Sequence, residues 1–232
     1  MFDALFTTTT EYKKLSHALS GKGACALFGL PASGRAQVYA ALCRQLDKPL
    51  CIVTPGEAEA TRFAADLNTL GIPAAVFPAR DYVLRPIEGT AREYEYRRLA
   101  VLGELVGGRL RAVAVPAEAL TQFTTPKEDF CANTRTLHAG DTLLRDDLLA
   151  ALFGAGYTRR AQVDGPGQFS VRGDIVDIFA PDQKMPVRME FWGDEIDTLH
   201  TFDLTTQRRE DAIDKFYLSP AREVLFLSLI HI

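Results

Sequence analysis

The sequence predicts a parallel-sheet α/β domain followed by a smaller α+β domain with an antiparallel sheet. Three observations carry that expectation. Up to about residue 120, short and almost wholly apolar runs alternate with longer amphipathic stretches. Strands of that kind are buried on both faces, as in a parallel sheet covered by helices. Residues 121–129 then form a polar stretch containing Pro126, which reads as a domain boundary. Beyond it the period changes. Val187, Met189 and Phe191 alternate with Arg188, Glu190 and Trp192, which puts one set on each face of a one-sided strand. The 232 residues are 47% hydrophobic and 24% charged, a globular composition at a length suited to one large or two small domains.

Taken in order, residues 11–19 predict a short amphipathic helix, and 24–28 (ACALF) a compact strand leading into the loop 29–33. A helix over 34–46 precedes a second strand at 50–53. Residues 57–70 predict a helix with Ala58, Phe63, Leu67 and Leu70 near one side, stopped by Gly71, since glycine readily takes the left-handed conformation that ends helices. A third strand is expected at 74–77, a charged and turn-rich loop at 78–90, and a helix at 92–106 ended by Gly107 and Gly108. The fourth strand is 111–115, and Pro116 opens a helix to Leu120 at a position where proline is tolerated. Past the boundary come a strand near 134–138 and a helix over 145–153, stopped by Gly154 and Gly156.

Two β-rich runs follow, 169–179 and 187–192, flanking a loop with Pro181, Asp182 and Pro186. That is a hairpin signature, with further strand material at 195–202. If Val187, Met189 and Phe191 face the core, Arg188, Glu190 and Trp192 face outward. Tryptophan aligned with arginine on a solvent face suits a binding surface, because Trp, Tyr and Arg are enriched at interface hot spots. The plainer reading is that Trp192 caps the sheet edge and Arg188 pairs with a neighbouring acid. Arg172, on the partner run, joins the set if the register brings it alongside.

The bulk chemistry excludes several classes. Net charge is −4, so no basic field draws in nucleic acid non-specifically. Cys25, Cys43, Cys51 and Cys131 lack metal or redox spacing and read as buried thiols in a reducing compartment. The N-terminus has no signal-peptide layout, and no apolar run approaches membrane-spanning length, so a cytoplasmic location is expected. Residues 227–232 (LSLIHI) bring no turn, cap or partner to a fold and read as a non-native tail on a chain whose natural form is longer.

The loop after the first expected strand has the glycine spacing of a phosphate-binding P-loop, with Gly29 and Gly34 followed by Arg35 and Ala36. Its chemistry is changed. A P-loop uses lysine to reach the phosphates, and the planar arginine fork is a poor substitute for a compact ammonium. It uses Ser or Thr to hold magnesium, and Ala36 has no oxygen. Pro31 also removes one backbone N–H from the anion cradle. The first domain is therefore expected to be a degenerate P-loop NTPase-like domain without hydrolysis. His17, His138, His200 and His231 have no ligand spacing. Asp174 and Asp194 follow glycines as turn acids, and Asp177 sits within a strand. No catalytic residue, metal or cofactor is assigned.

With these residues in view, the chain resembles the UvrB-like N-terminal module of bacterial transcription-repair coupling factors. The resemblance lies in GQFSVRGDIVDIF (167–179), PVRMEFWGDEIDTL (186–199), FDLTTQRR (202–209) and PAREVL (220–225). It covers nearly the whole chain to about Phe226. UvrB itself is similar at the first strand–loop–helix but keeps an intact P-loop. It also carries a long aromatic DNA-clamping hairpin, where this chain has only residues 83–93 before the next helix. The resemblance implies an inactive motor-like domain over 1–125 and a second domain over 126–214 that imitates the UvrA-binding domain of UvrB. It also implies the start of a further segment over 215–226. It implies UvrA contacts through Arg172, Arg188 and Trp192, the last a position where the family commonly has Phe. RNA polymerase and double-stranded DNA are implied partners of the full-length protein, through modules outside this chain.

The leading expectation is thus a non-enzymatic adaptor that recruits UvrA to stalled RNA polymerase in nucleotide excision repair. The alternative is a UvrB-like damaged-DNA-binding P-loop ATPase. A third reading is a scaffold with Trp192 buried in its own chain, and the exposure of Trp192 separates it from the first.

Overall fold

The computed structural model describes residues 7–21, 24–46, 48–80 and 90–223. The expectations for the short 83–93 connection and for the 227–232 tail fall wholly or mainly outside these residues. The chain divides into two compact units, one from residues up to 79 and 107–122, the other from 80–106 and 123 onward. The expected single boundary near 125 differs from this division, because the 90–106 helix belongs to the second unit.

The first unit is a parallel sheet with helices. Strands β1 (Leu50–Thr54), β2 (Ala74–Val76) and β3 (Ala112–Pro116) run in the order β1-β3-β2, both pairs parallel. The central strand β3 is buried along its whole length, as its unbroken apolar sequence dictates. Helix α1 (Thr10–Ser20) starts where the Thr9 side chain accepts from the Tyr12 amide at 3.2 Å, an N-cap bond worth about 1 kcal/mol. Tyr12 packs with Val38, Ala41 and Leu42 of α2 (Ala32–Gln45). Helix α3 (Glu57–Thr69) buries Ala60, Phe63, Ala64 and Leu67 at helical spacing. Gly71 ends it at φ 75°, with the Ile72 amide bonded to Leu67 O and the Gly71 amide to Asn68 O, a Schellman cap. A single helical turn, Ala117–Leu120, follows β3.

One strand expectation fails here. Residues 24–28 are in no sheet, and Leu27 and Phe28 are exposed. A strand is defined by the partner that takes its backbone bonds as much as by its composition, and β1 and β2 each pair with β3 alone. The cysteine expectation also changes. All four are free thiols, but only Cys43 is buried, where burial pushes its thiol pKa up.

The second unit is built on a six-stranded mixed sheet ordered β10-β9-β8-β7-β6-β5. Its strands are β5 (Thr158–Arg159), β6 (Gln168–Arg172), β7 (Ile175–Phe179), β8 (Val187–Trp192), β9 (Glu195–Phe202) and β10 (Arg209–Ala212). All neighbours are antiparallel except β5 and β6. The run 169–179, expected as one strand, is two. The Gly173–Asp174 turn folds β6 back on β7, and Gly193–Asp194 does the same for β8 and β9. Gly173 and Gly193 take φ of 61° and 64°. Glycine at the first central position with positive φ marks the turn that matches strand twist.

One face of the sheet forms the core. Phe169, Val176, Ile178, Val187, Met189 and Phe191 pack on Leu148 and Leu152 of a helix over Arg145–Gly154. Strands β4 (Arg135–His138) and β11 (Lys215–Leu218) pair antiparallel and add Leu137, Phe216 and Leu218 to the same core. Residues 215–223, expected to open a further segment, therefore lie in this unit. Helix α4 (Thr90–Val106) is held to them by charge. Arg98, with no exposed surface, grips Glu223 with two bonds of 2.8 Å, and Arg80 adds a third contact of 2.8 Å. Helices α5 (Lys127–Ala132) and α6, the Arg145–Gly154 helix, complete the unit.

Candidate protein-docking face

The other face of the six-stranded sheet carries the residues singled out by sequence. On β8, alternation places Val187, Met189 and Phe191 in the core, and Arg188, Glu190 and Trp192 opposite. The register sets Asp177 of β7 directly across from Arg188, and Ser170 of β6 across from Asp177. Arg172 lies two residues beyond Ser170, so it shares this face. The sheet thus brings Arg172, Arg188 and Trp192 to one surface.

Their environments differ sharply. Trp192 is 82% exposed, at the end of β8 beside the Gly193 turn. That removes the scaffold reading, in which Trp192 is buried in its own chain. Arg188 is only 9% exposed, which corrects the expectation that it faces solvent. Its Nε and Nη2 donate to the two carboxylate oxygens of Asp177 at 2.7 and 3.0 Å, and Nη1 donates to Gln207 O at 3.2 Å. The guanidinium also lies 4.7 Å from the centre of the Phe202 ring, a favourable cation–π approach. The physical reason is a neighbour on the next strand: a buried carboxylate needs a counter-charge, and Arg188 is in register to supply it. The Asp177 bond in turn raises the arginine pKa. Arg172 donates from Nη2 to Asp177 Oδ2 at 2.6 Å, and its side chain is 48% exposed.

The loop 203–208 closes one side of this cluster. Asp203 Oδ1 accepts from the Thr205 and Thr206 amides and from the Thr206 hydroxyl. The Thr206 bonds hold the Asp203 carboxyl below its ordinary pKa. Gln207 takes a left-handed φ of 59°, a conformation that costs a glutamine roughly 1 kcal/mol. Its side-chain amide donates to Leu204 O at 2.8 Å, which fixes the loop that delivers its carbonyl to Arg188. Next along the face, Glu190 contacts Arg209 and accepts from Thr198 Oγ1 at 3.3 Å.

Sequence reasoning missed Asp177 and Gln207 as members of this site. Asp177 had a signal: a lone acid with Val176 and Ile178 on either side must point to the face opposite the core. Gln207 had none, because its role rests on a backbone angle.

Residues 136–224 match the family model of the UvrB interaction domain. That segment of the chain is similar to a UvrB interaction domain. The strands β6 to β10 that build this face all lie inside the matched residues. Over most of its length the chain is also similar to transcription-repair-coupling factors. It is 35% identical to that of Myxococcus xanthus over 208 residues, covering 85% of this chain and 17% of the relative. It is 38% identical to that of Mycobacterium tuberculosis (strain CDC 1551 / Oshkosh) over 192 residues, covering 79% and 15%. With that of Bacillus subtilis (strain 168) it shares 28% over 201 residues, covering 86% and 17%. The chain therefore spans about one sixth of the length of these curated relatives.

The residues expected to form a degenerate nucleotide loop, Gly29, Gly34, Arg35 and Ala36, lie in the first unit. Gly29 has φ 81°, and α2 begins at Ala32 with Pro31 as its N-cap, which makes no side-chain cap bond. Gly34 thus falls in the first turn of the helix. The Arg35 amide bonds to Pro31 O at 3.1 Å and its guanidinium lies 4.0 Å from Glu59. Leu27, Phe28, Leu30 and Tyr39 line most of a cleft of about 360 Å³ at this point. Among the described residues no group of three or more His, Cys, Asp or Glu is placed to hold a metal. No helix among them is long and apolar enough to cross a membrane.

Proposed function

We propose that the outer face of the six-stranded sheet docks UvrA, and that the chain is an adaptor module of a transcription-repair coupling factor in the cytoplasm. In the full-length protein this module would recruit UvrA to stalled RNA polymerase, while contacts with polymerase and with double-stranded DNA belong to the remaining length. The observation that carries the reading is Trp192, 82% exposed inside the segment similar to a UvrB interaction domain. A large apolar ring in water costs free energy that a partner pocket recovers, and buried aromatic anchors dominate interface energies. Arg172 beside it, half exposed, supplies positive charge for acidic groups on the partner, and Arg188 lies buried beneath the same face.

The first unit serves this role without hydrolysing ATP. Arg35 and Ala36 replace the lysine and hydroxyl that phosphoryl transfer requires. The direct test is retention of purified UvrA on the immobilised chain, comparing wild type with Trp192→Ala and Arg188→Ala. Loss in Trp192→Ala is expected, and equal retention by all three sinks the surface assignment.

A further inference from the structure

The docking face holds two arginines around one buried carboxylate, and the two arginines are not equivalent. Asp177 is 1% exposed and takes Arg188 in a two-bond fork. Arg188 is then closed off by the Gln207 carbonyl and the Phe202 ring. Arg172 gives Asp177 a single nitrogen, and about half of its side chain remains in solvent. A guanidinium is a rigid planar fork with five donors, so fixing one nitrogen aims the others. The charge count matters as well. With Arg188 neutralising Asp177, the cluster keeps the full positive charge of Arg172. Without Arg188, Asp177 and Arg172 would form a self-satisfied neutral pair.

We propose that Asp177 is a positioning residue of the docking face: it holds Arg172, whose guanidinium is open to an acidic group of the partner, and Arg188 acts on that partner only through Asp177. This inference rests on the reading of the face as a UvrA-docking surface. It assigns the direct ionic contact to Arg172 and makes the buried Asp177–Arg188 pair its mount.

A double-mutant cycle tests it, with UvrA titrated into wild type, Asp177→Asn, Arg172→Ala and the double variant, each checked by thermal melting. Each single change is expected to weaken binding about tenfold. The double variant should lie within about twofold of Arg172→Ala, because residues acting as one unit are not additive. Losses that multiply to about a hundredfold in the double variant would overturn the proposal. Arginine Nε–Hε relaxation adds a check on the mount itself: Arg172 should gain mobility in Asp177→Asn, and an unchanged Arg172 counts against the proposal. Asp177→Asn leaves Arg188 buried without a counter-charge and is at risk of unfolding. In that event the paired change Asp177→Leu with Arg188→Met removes both charges. In that background Arg172→Ala is expected to cost less than about twofold, and a full tenfold loss would overturn the proposal. Failure of the wild-type chain to bind UvrA is a different outcome, which overturns the proposed function and this inference together.

Discussion

Arg98 and Glu223 meet with no exposed surface on either side chain. Such a pair is weak evidence for net stability, but breaking it strands a buried charge at a cost of about 3–5 kcal/mol. Burial pushes the Glu223 carboxyl pKa up, yet bonds from Arg98, Thr124 and Arg80 outweigh that and hold it below its ordinary value. A carboxyl whose pKa is depressed by folding contributes stability above its unfolded pKa and loses it as pH falls through the folded one. Urea unfolding over a pH series should therefore show stability declining on acidification from the ordinary carboxylate value of 4.5. Glu223→Gln should be less stable near neutral pH and show a flatter acid limb. An identical acid limb in both proteins would mean that Glu223 is not the titrating group.

The sheet hairpins depend on backbone conformation at single positions. Gly173 sits at φ 61°, which an L side chain adopts only with strain. Gly173→Ala should destabilise the second unit by roughly 1 kcal/mol. Gly154, in the last turn of α6, has ordinary φ and open space where a Cβ would lie. Gly154→Ala should instead stabilise by about 0.5 kcal/mol, through the unfolded chain. Chemical denaturation of the two variants reads the opposite signs. These elements also show how far the sequence was legible. The alternation of β8 and the α3 stripe of Phe63 and Leu67 could be read directly, because burial on one face imposes a period. The split of 169–179 into two strands was marked only by Gly173–Asp174, between two stretches that both mix apolar and polar residues in the manner of a strand. Residues 24–28 had the composition of a strand but no partner. The burial of Arg188 was legible only as an open alternative, since it depends on the cross-strand register that sets Asp177 opposite.

At the scale of the molecule, a parallel-sheet unit accompanies a unit whose six-stranded sheet ends one strand in an exposed tryptophan. The adaptor account gives the first unit no nucleotide chemistry. Thermal melting with millimolar ATP and magnesium should leave the transition unmoved, whereas a ligand at 100 times its Kd would stabilise by about 2.7 kcal/mol. An ATP-dependent rise in melting temperature would favour the ATPase alternative. The central claim concerns the second unit, and calorimetric titration of UvrA into wild type and Trp192→Ala tests it most directly. The account predicts that wild type binds and that Trp192→Ala binds more than about tenfold more weakly, while its melting temperature is unchanged because the side chain is exposed. Equal affinity of the two proteins for UvrA would contradict it.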